Sequence, residues 1–332
     1  MILHPPVLAL IIGSLLTCFL LAYASYYGFF ILRKWDLASG SDVQLDFERK
    51  TYLISTLVTY AFAFQLLSLF LFVYTADDLC HLFVGAMCAA GTLHVNPYGY
   101  PTLLLKIINF MLAGVWLILN HVDNSAYDYP LIKKKYLILL LITPSMMAET
   151  VLQIWYFLNL IPDIITSCCG TLFSAEPRET GSAISLIPGL PLRIPFFIAM
   201  GLTLVMGVSV YRGRGKGSYF FSLMAGVTFI LSIMALISVF SLYFYELPSH
   251  HCPFCLLQRE YDFAGYPLYL TLFTGAVTGI SAGVIAPFSK IKSLTTIVPA
   301  AQQRLALVSL ICYSIFTALV IVKMMISNLT LR

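Results

Sequence analysis

Eight long apolar runs constrain this chain more than any other feature: residues 7–32, 51–75, 101–120, 136–160, 194–211, 219–244, 267–287 and 305–327. A bilayer core takes about 20 apolar residues per helix, and most of the runs reach that length. Lipid offers an unpaired amide no partner, so a spanning backbone must be helical. Composition agrees: 60% of residues are hydrophobic and 10% charged, whereas soluble domains carry roughly 25% charged residues. The expected fold class is an all-α integral membrane protein of about eight spans, with the lipid bilayer as its main environment. The first run is too long for a cleavable signal peptide and lacks a basic segment before it. The net charge of +4 gives no reason to expect a nucleic-acid partner.

The connectors set the orientation. The loops after spans one, three, five and seven hold Arg33, Lys34, Arg49, Lys50, Lys133, Lys134, Lys135, Arg212, Arg214, Lys216, Lys290, Lys292 and Arg304, which is 13 of the 19 Lys and Arg residues. The positive-inside rule places these loops in the cytoplasm and both termini outside. Lys106 and Lys323, near span ends, are expected to snorkel. The outward loops then contain Cys80, Cys88, Cys168, Cys169, Cys252 and Cys255, and only Cys18 and Cys312 fall within spans. The outer face of a bacterial inner membrane is oxidising and favours disulfides, so charge and cysteine placement point to the same compartment.

Two outward loops share a pattern. One runs from Cys88 to Gly99-Tyr100-Pro101, the other from Cys255 to Gly265-Tyr266-Pro267, and each continues into an apolar run. Gly permits the turn and Pro suits the first helical position. The spacing suggests two four-helix repeats in parallel orientation, residues 1–166 with the Cys80/Cys88 loop and residues 167–332 with the Cys252/Cys255 loop, joined through the long loop 161–193.

The chemistry-bearing segment is His250-His251-Cys252-Pro253-Phe254-Cys255-Leu256-Leu257-Gln258-Arg259. A Cys-X-X-Cys pair can form a disulfide and often has a lowered thiol pKa. Three features are expected to favour thiolate here: the two preceding histidines, Arg259 on the face of a helix shared with Cys255, and the positive end of a helix beginning at Cys255. The thiolate is the attacking species in exchange. Metal binding is the alternative for His250, His251, Cys252 and Cys255, with a soft ion such as Cu(I) or Zn(II). His81 beside Cys80 can add ligands. Six loop cysteines permit about 15 pairings, and spacing does not choose among them.

At Cys252, Pro253, Cys255, Gln258 and Arg259 the chain resembles the DsbB family of membrane disulfide-generating proteins, whose signature is Cys-Pro-X-Cys-X-X-Gln-Arg. The resemblance covers about ten residues. It implies a thiol–disulfide oxidoreductase in which the Cys-X-X-Cys disulfide passes electrons to a membrane quinone (ubiquinone or menaquinone). Cys255 would be the quinone-side sulfur and Cys252 its partner, with Arg259 beside the quinone and Gln258 next to it. A second outer pair would exchange with a soluble thioredoxin-fold partner. Family members have four helices rather than eight, and here Glu260, Tyr261 and Asp262 separate Arg259 from the next apolar run. Cys80 and Cys88, followed by Tyr-Gly-Tyr-Pro, faintly resemble the loop cysteines of the vitamin K epoxide reductase family. They are one candidate for the second pair. The adjacent Cys168 and Cys169 are the other.

Glu149 lies deep in the fourth span, where an ionisable group is a functional candidate, here as a proton relay. The rival account is a protonated, hydrogen-bonded carboxyl between helices. No P-loop, dinucleotide fingerprint or haem-attachment motif occurs. The expectation is a membrane thiol–disulfide oxidoreductase that exchanges disulfides on the outer side and, as the resemblance implies, passes electrons to or from a membrane quinone. A transporter or metal-handling protein, with its cysteines as ligands or staples, is the alternative.

Overall fold

The computed structural model describes residues 3–35, 42–161, 189–213, 217–248 and 250–329, with the side chains of residues 42–47 and 189–191 outside that description. Its helices are α1 (Pro5–Lys34), α2 (Asp42–Asp78), α3 (Ala89–His94), α4 (Gly99–Asn124), α5 (Ile132–Leu158), α6 (Gly189–Tyr211), α7 (Ser218–Ala235), α8 (Ser241–Tyr245), α9 (Gly265–Val284) and α10 (Ile297–Ile326). A π-helical segment, Leu236–Phe240, joins α7 to α8 into one continuous rod. Among the described residues, eight helical stretches are long and apolar enough to cross a membrane, and they coincide with the eight runs read from the sequence. Both Gly-Tyr-Pro units open a helix, α4 at Gly99 and α9 at Gly265. The chain is an all-α multi-pass membrane protein.

Two compact units divide the chain. The first comprises Met1–Thr75, Val95–Ile161 and Ile291–Ile297; the second comprises Ala76–His94, Pro162–Lys290 and Val298–Arg332. The loop that carries Cys80 and Cys88 thus clusters with the second unit.

In the first unit α5 packs against both α1 and α4. Leu21, Ala24, Phe62, Trp116, Tyr136 and Met146 are among its core residues. Apolar packing supplies no hydrophobic drive between helices in lipid, so polar contacts matter more there. Two buried ion pairs tie α4 to α5. Lys106 Nζ lies 2.7 Å from Glu149 Oε1, and Lys135 Nζ lies 2.7 Å from Asp123 Oδ2. Both lysines depart from expectation. Lys106 does not snorkel: it is fully buried, because α5 presents a carboxylate at its level. Lys135, counted above among the loop charges, is also buried, and Asn120 Oδ1 accepts a second bond from it at 3.1 Å.

In the second unit α7 packs against α6 and α9. Small residues allow the approach. A methyl group built at Gly279 would stand 2.6 Å from Cβ of Ala225 and 3.0 Å from Oγ of Ser309, so only glycine fits where α9 meets its neighbours. Tyr313 OH donates to Ala225 O at 2.8 Å and Gln302 Nε2 to Ala282 O at 2.9 Å, which fixes α10 in the same unit.

Candidate functional site: three buried thiols

Two loops of the second unit build the site. The first leaves α2 through a 3₁₀ turn, Leu79–Leu82. It reverses at Gly85, whose φ of 86° suits a residue without a side chain, and reaches Cys88 directly before α3. The second leaves α8 at Glu246, which has left-handed backbone with φ 55°. It runs through His250 and His251 to Cys252, then makes 3₁₀ turns at Cys255–Leu257 and Arg259–Tyr261 before α9. Gly265 lies directly under the first of these turns. A Cβ there would sit 3.0 Å from the Leu256 carbonyl group and 2.8 Å from a Leu257 methyl carbon.

These loops bring Cys88, Cys252 and Cys255 together, with all three sulfurs within 4.8 Å of one another. Cys88 Sγ lies 3.5 Å from Cys252 Sγ although 164 residues separate them in sequence. Their exposures are 0%, 1% and 5%, so bulk water does not reach the cluster. Tyrosines hold the second loop from behind: Tyr245 OH donates to Cys252 O, and Tyr269 OH donates to Pro253 O at 2.6 Å.

The electrostatics centre on Cys252. Its thiol pKa falls well below the ordinary value because of its hydrogen-bond contacts with the Cys255 and Cys88 sulfurs, which outweigh the opposing effect of burial, with smaller help from the Phe254 and Cys255 backbone N–H groups. Cys255 is pushed up, first by its bond to Cys252, then by its bond to Cys88 and by burial. Of this pair Cys252 is thus held low and Cys255 high, which makes Cys252 the sulfur that ionises first.

None of the three features expected to favour thiolate operates. Burial lowers the pKa of His250 and His251, so neither imidazole brings a positive charge near neutral pH. His251 Nδ1 stands 3.2 Å from Ile237 O. A carbonyl only accepts, so Nδ1 carries the hydrogen. Ile237 belongs to the π-helical segment, where the widened ladder leaves a carbonyl open to a side chain. The helix expected to begin at Cys255 is a three-residue 3₁₀ turn, ended by extended Gln258 with ψ 159°. Arg259 consequently sits on a separate turn, exposed to the surroundings, and shares no helical face with Cys255.

Gln258 ties the two loops together. Its Nε2 donates to Asp77 Oδ1 at 3.2 Å and to Met87 O at 2.8 Å. The same Asp77 Oδ1 accepts from Ala89 N at 3.0 Å. Met87 and Ala89 flank Cys88. The Asp77–Gln258 clasp thus holds the backbone on both sides of Cys88 against the loop of Cys252. Sequence reading missed Asp77. Its only signal is an acidic Asp77-Asp78 pair where an apolar span meets a cysteine loop.

The other candidates lie elsewhere. Cys80 is buried but outside the set of mutually close sulfurs. Cys168 and Cys169 lie outside the described residues. Cys18 stands 3.1 Å from Thr150 Oγ1, between α1 and α5. Glu149 belongs to the first unit and is fully engaged as an acceptor. Besides Lys106, Gln65 Nε2 lies 2.8 and 2.7 Å from its two oxygens, and Asn109 Nδ2 lies 2.6 Å from Oε2. Every one of these partners is a donor, so the carboxylate acts as a joint between α2, α4 and α5.

Comparison of the chain with protein-family models, with curated proteins and with solved structures gives no match, so the sulfur cluster itself is the ground for a functional reading.

Proposed function

We propose that this chain is a membrane thiol–disulfide oxidoreductase whose working centre is Cys88, Cys252 and Cys255. One observation carries the reading: two loops far apart in sequence deliver three sulfurs to within 4.8 Å of one another in a site shielded from water. A structural disulfide needs two cysteines. A third sulfur at exchange distance supplies what interchange requires, an attacking thiolate beside a bond it can break.

The step balances as follows. From a Cys252–Cys255 disulfide, the Cys88 thiolate attacks Cys252. The Cys88–Cys252 bond forms, the Cys252–Cys255 bond breaks, and Cys255 leaves as thiolate and takes up the proton that Cys88 released. A further thiolate, from Cys80 or a substrate protein, then attacks Cys88, forms a disulfide with it and frees Cys252. Two electrons and two protons have moved onto the Cys-X-X-Cys pair. Cys252 is the shared sulfur in this direction and in its reverse.

The electron acceptor in this reading is a membrane quinone, which when bound supplies a two-electron, two-proton sink. Arg259, a hydrogen-bond donor, and the ring of Phe263, a stacking surface, are both exposed on the stretch between Cys255 and the apolar start of α9 and suit such a molecule chemically. The substrate side is a soluble thioredoxin-fold protein on the outer face of a bacterial inner membrane. The loop of Cys88 exposes Leu82, Val84 and Met87 for such a partner to meet.

Thiol trapping in membranes, with and without added quinone, tests the reading. Peptide mapping then locates the bonds. The expected result is a Cys252–Cys255 disulfide that forms with oxidised quinone, and a Cys88–Cys252 disulfide that accumulates in Cys255→Ser. Cysteines fixed in one state whatever the quinone pool does would sink the quinone-linked mechanism. Absence of any Cys88–Cys252 bond in Cys255→Ser would remove Cys88 from the pathway.

A further inference from the structure

The same three sulfurs, when reduced, have the geometry of a metal site. A three-coordinate ion with metal–sulfur bonds of about 2.3 Å holds its ligands roughly 4 Å apart. The sulfurs here are near that separation, at 3.5 Å for Cys88 to Cys252 and no more than 4.8 Å for any pair of the set. Closing around an ion therefore requires shifts below about 1 Å, without moving either loop.

The number and kind of donors select the ion. Zinc in a structural site takes four ligands, and in an open site it takes three and a water. Among the described residues the cluster contains three thiols and no fourth histidine, cysteine or carboxylate within the same reach. His251 Nδ1 lies at Ile237 O and leaves Nε2 able to ligate, but neither ring nitrogen joins the set of mutually close ligand atoms, and the hydroxyls of Tyr245 and Tyr269 are directed to Cys252 O and Pro253 O. Burial keeps a ligand water out. Soft thiolates in a dry, three-donor setting favour Cu(I), which accepts low coordination.

We infer that the reduced protein binds one Cu(I) ion through Cys88, Cys252 and Cys255. Binding breaks the S–H bonds that remain on the three sulfurs, releases their protons and forms three copper–sulfur bonds, with no change of oxidation state. The inference needs only the sulfur geometry, so it stands or falls separately from the quinone-linked exchange.

The test uses the full-length protein in nanodiscs, reduced and kept free of oxygen. It is titrated against a coloured complex of Cu(I) with bicinchoninate. The reduced protein is expected to withdraw one equivalent more copper than Cys88→Ser does. Cys88→Ser should hold copper at least about tenfold more weakly, since even outer-shell changes at metal sites cost 10–100-fold in affinity. Cys255→Ser, read beside it, should weaken binding similarly. Gel filtration of each variant confirms that it folds. Equal copper uptake by the reduced wild type and a Cys88→Ser variant that folds would overturn the three-sulfur site. Tight Zn(II) binding that fails in His251→Ala would overturn it too, in favour of a four-ligand centre.

Discussion

The Asp77–Gln258 clasp makes a quantitative prediction about Cys88. In Gln258→Ala the loop of Cys88 loses two hydrogen bonds from the Cys-X-X-Cys segment, one to Met87 O at 2.8 Å and one to the Asp77 carboxylate at 3.2 Å. A neutral bond of this kind contributes about 1 kcal/mol and one to a charged group about 1.5–3 kcal/mol. The Asp77 bond is long and Gln258 is partly exposed, so we take about 1.5 kcal/mol for the pair. That energy is spread over one degree of freedom, the approach of Cys88 to Cys252. The effective concentration of one thiol at the other should fall roughly tenfold, and the disulfide they form should become easier to reduce by about 30 mV. The assay places the change in Cys255→Ser, where Cys88 and Cys252 are the remaining members of the cluster. The protein is equilibrated with glutathione buffers of graded potential, and the linked peptide is quantified by mass spectrometry. The midpoint should rise by about 30 mV in Gln258→Ala. It should rise less in Asp77→Asn, which keeps an acceptor oxygen and loses only the charge. A Gln258→Ala midpoint within about 5 mV of its parent, in protein that folds normally, would mean that the clasp does not position Cys88.

Two further outcomes follow from the packing. Lys106→Met should destabilise the first unit by about 3 kcal/mol, the lower end for a buried pair broken on one side, because Gln65 and Asn109 still serve Glu149. Adding Glu149→Gln should recover most of that loss. Denaturant unfolding in micelles checks both, and a single-variant loss under about 1 kcal/mol would show that the pair is not shielded as described. Gly279→Val should lower the unfolding free energy by about 1–3 kcal/mol through overpacking, since even a methyl group there meets Ala225 at 2.6 Å. Unchanged stability would mean that α7 and α9 do not approach so closely.

The spans and the helix-opening Gly-Tyr-Pro units were legible in the sequence because each depends on a local property, apolar length or turn chemistry. The Cys-X-X-Cys pair was legible for the same reason. The partner of Cys252 was not, because nothing in the spacing of Cys80, Cys88, Cys168 and Cys169 tells which sulfur packing will bring to 3.5 Å. The helix expected from Cys255 fails for a long-range cause: Gln258 reaches across to Asp77 and Met87, and its backbone is extended where a helix would continue. The source of thiolate character was misread for a related reason. Histidines look cationic in a string of letters, whereas burial decides their charge. Lys106 shows the limit of reading spans singly. Its depth is visible, but its fate depends on a carboxylate 43 residues later.

That last contact also bears on how the protein is made. α4 taken alone carries a lysine seven residues from its Gly99 end, about 10 Å along the helix axis. A lone lysine near a helix centre disfavours insertion by about 2.5–3.5 kcal/mol, and less towards an end. Glu149 would impose a comparable burden on α5 alone. Together they cancel, so the natural unit of insertion is the α4–α5 hairpin, released into lipid as a pair. A ribosome stalled before residue 149 should leave α4 held at the insertion machinery, waiting for the carboxylate that lets it go.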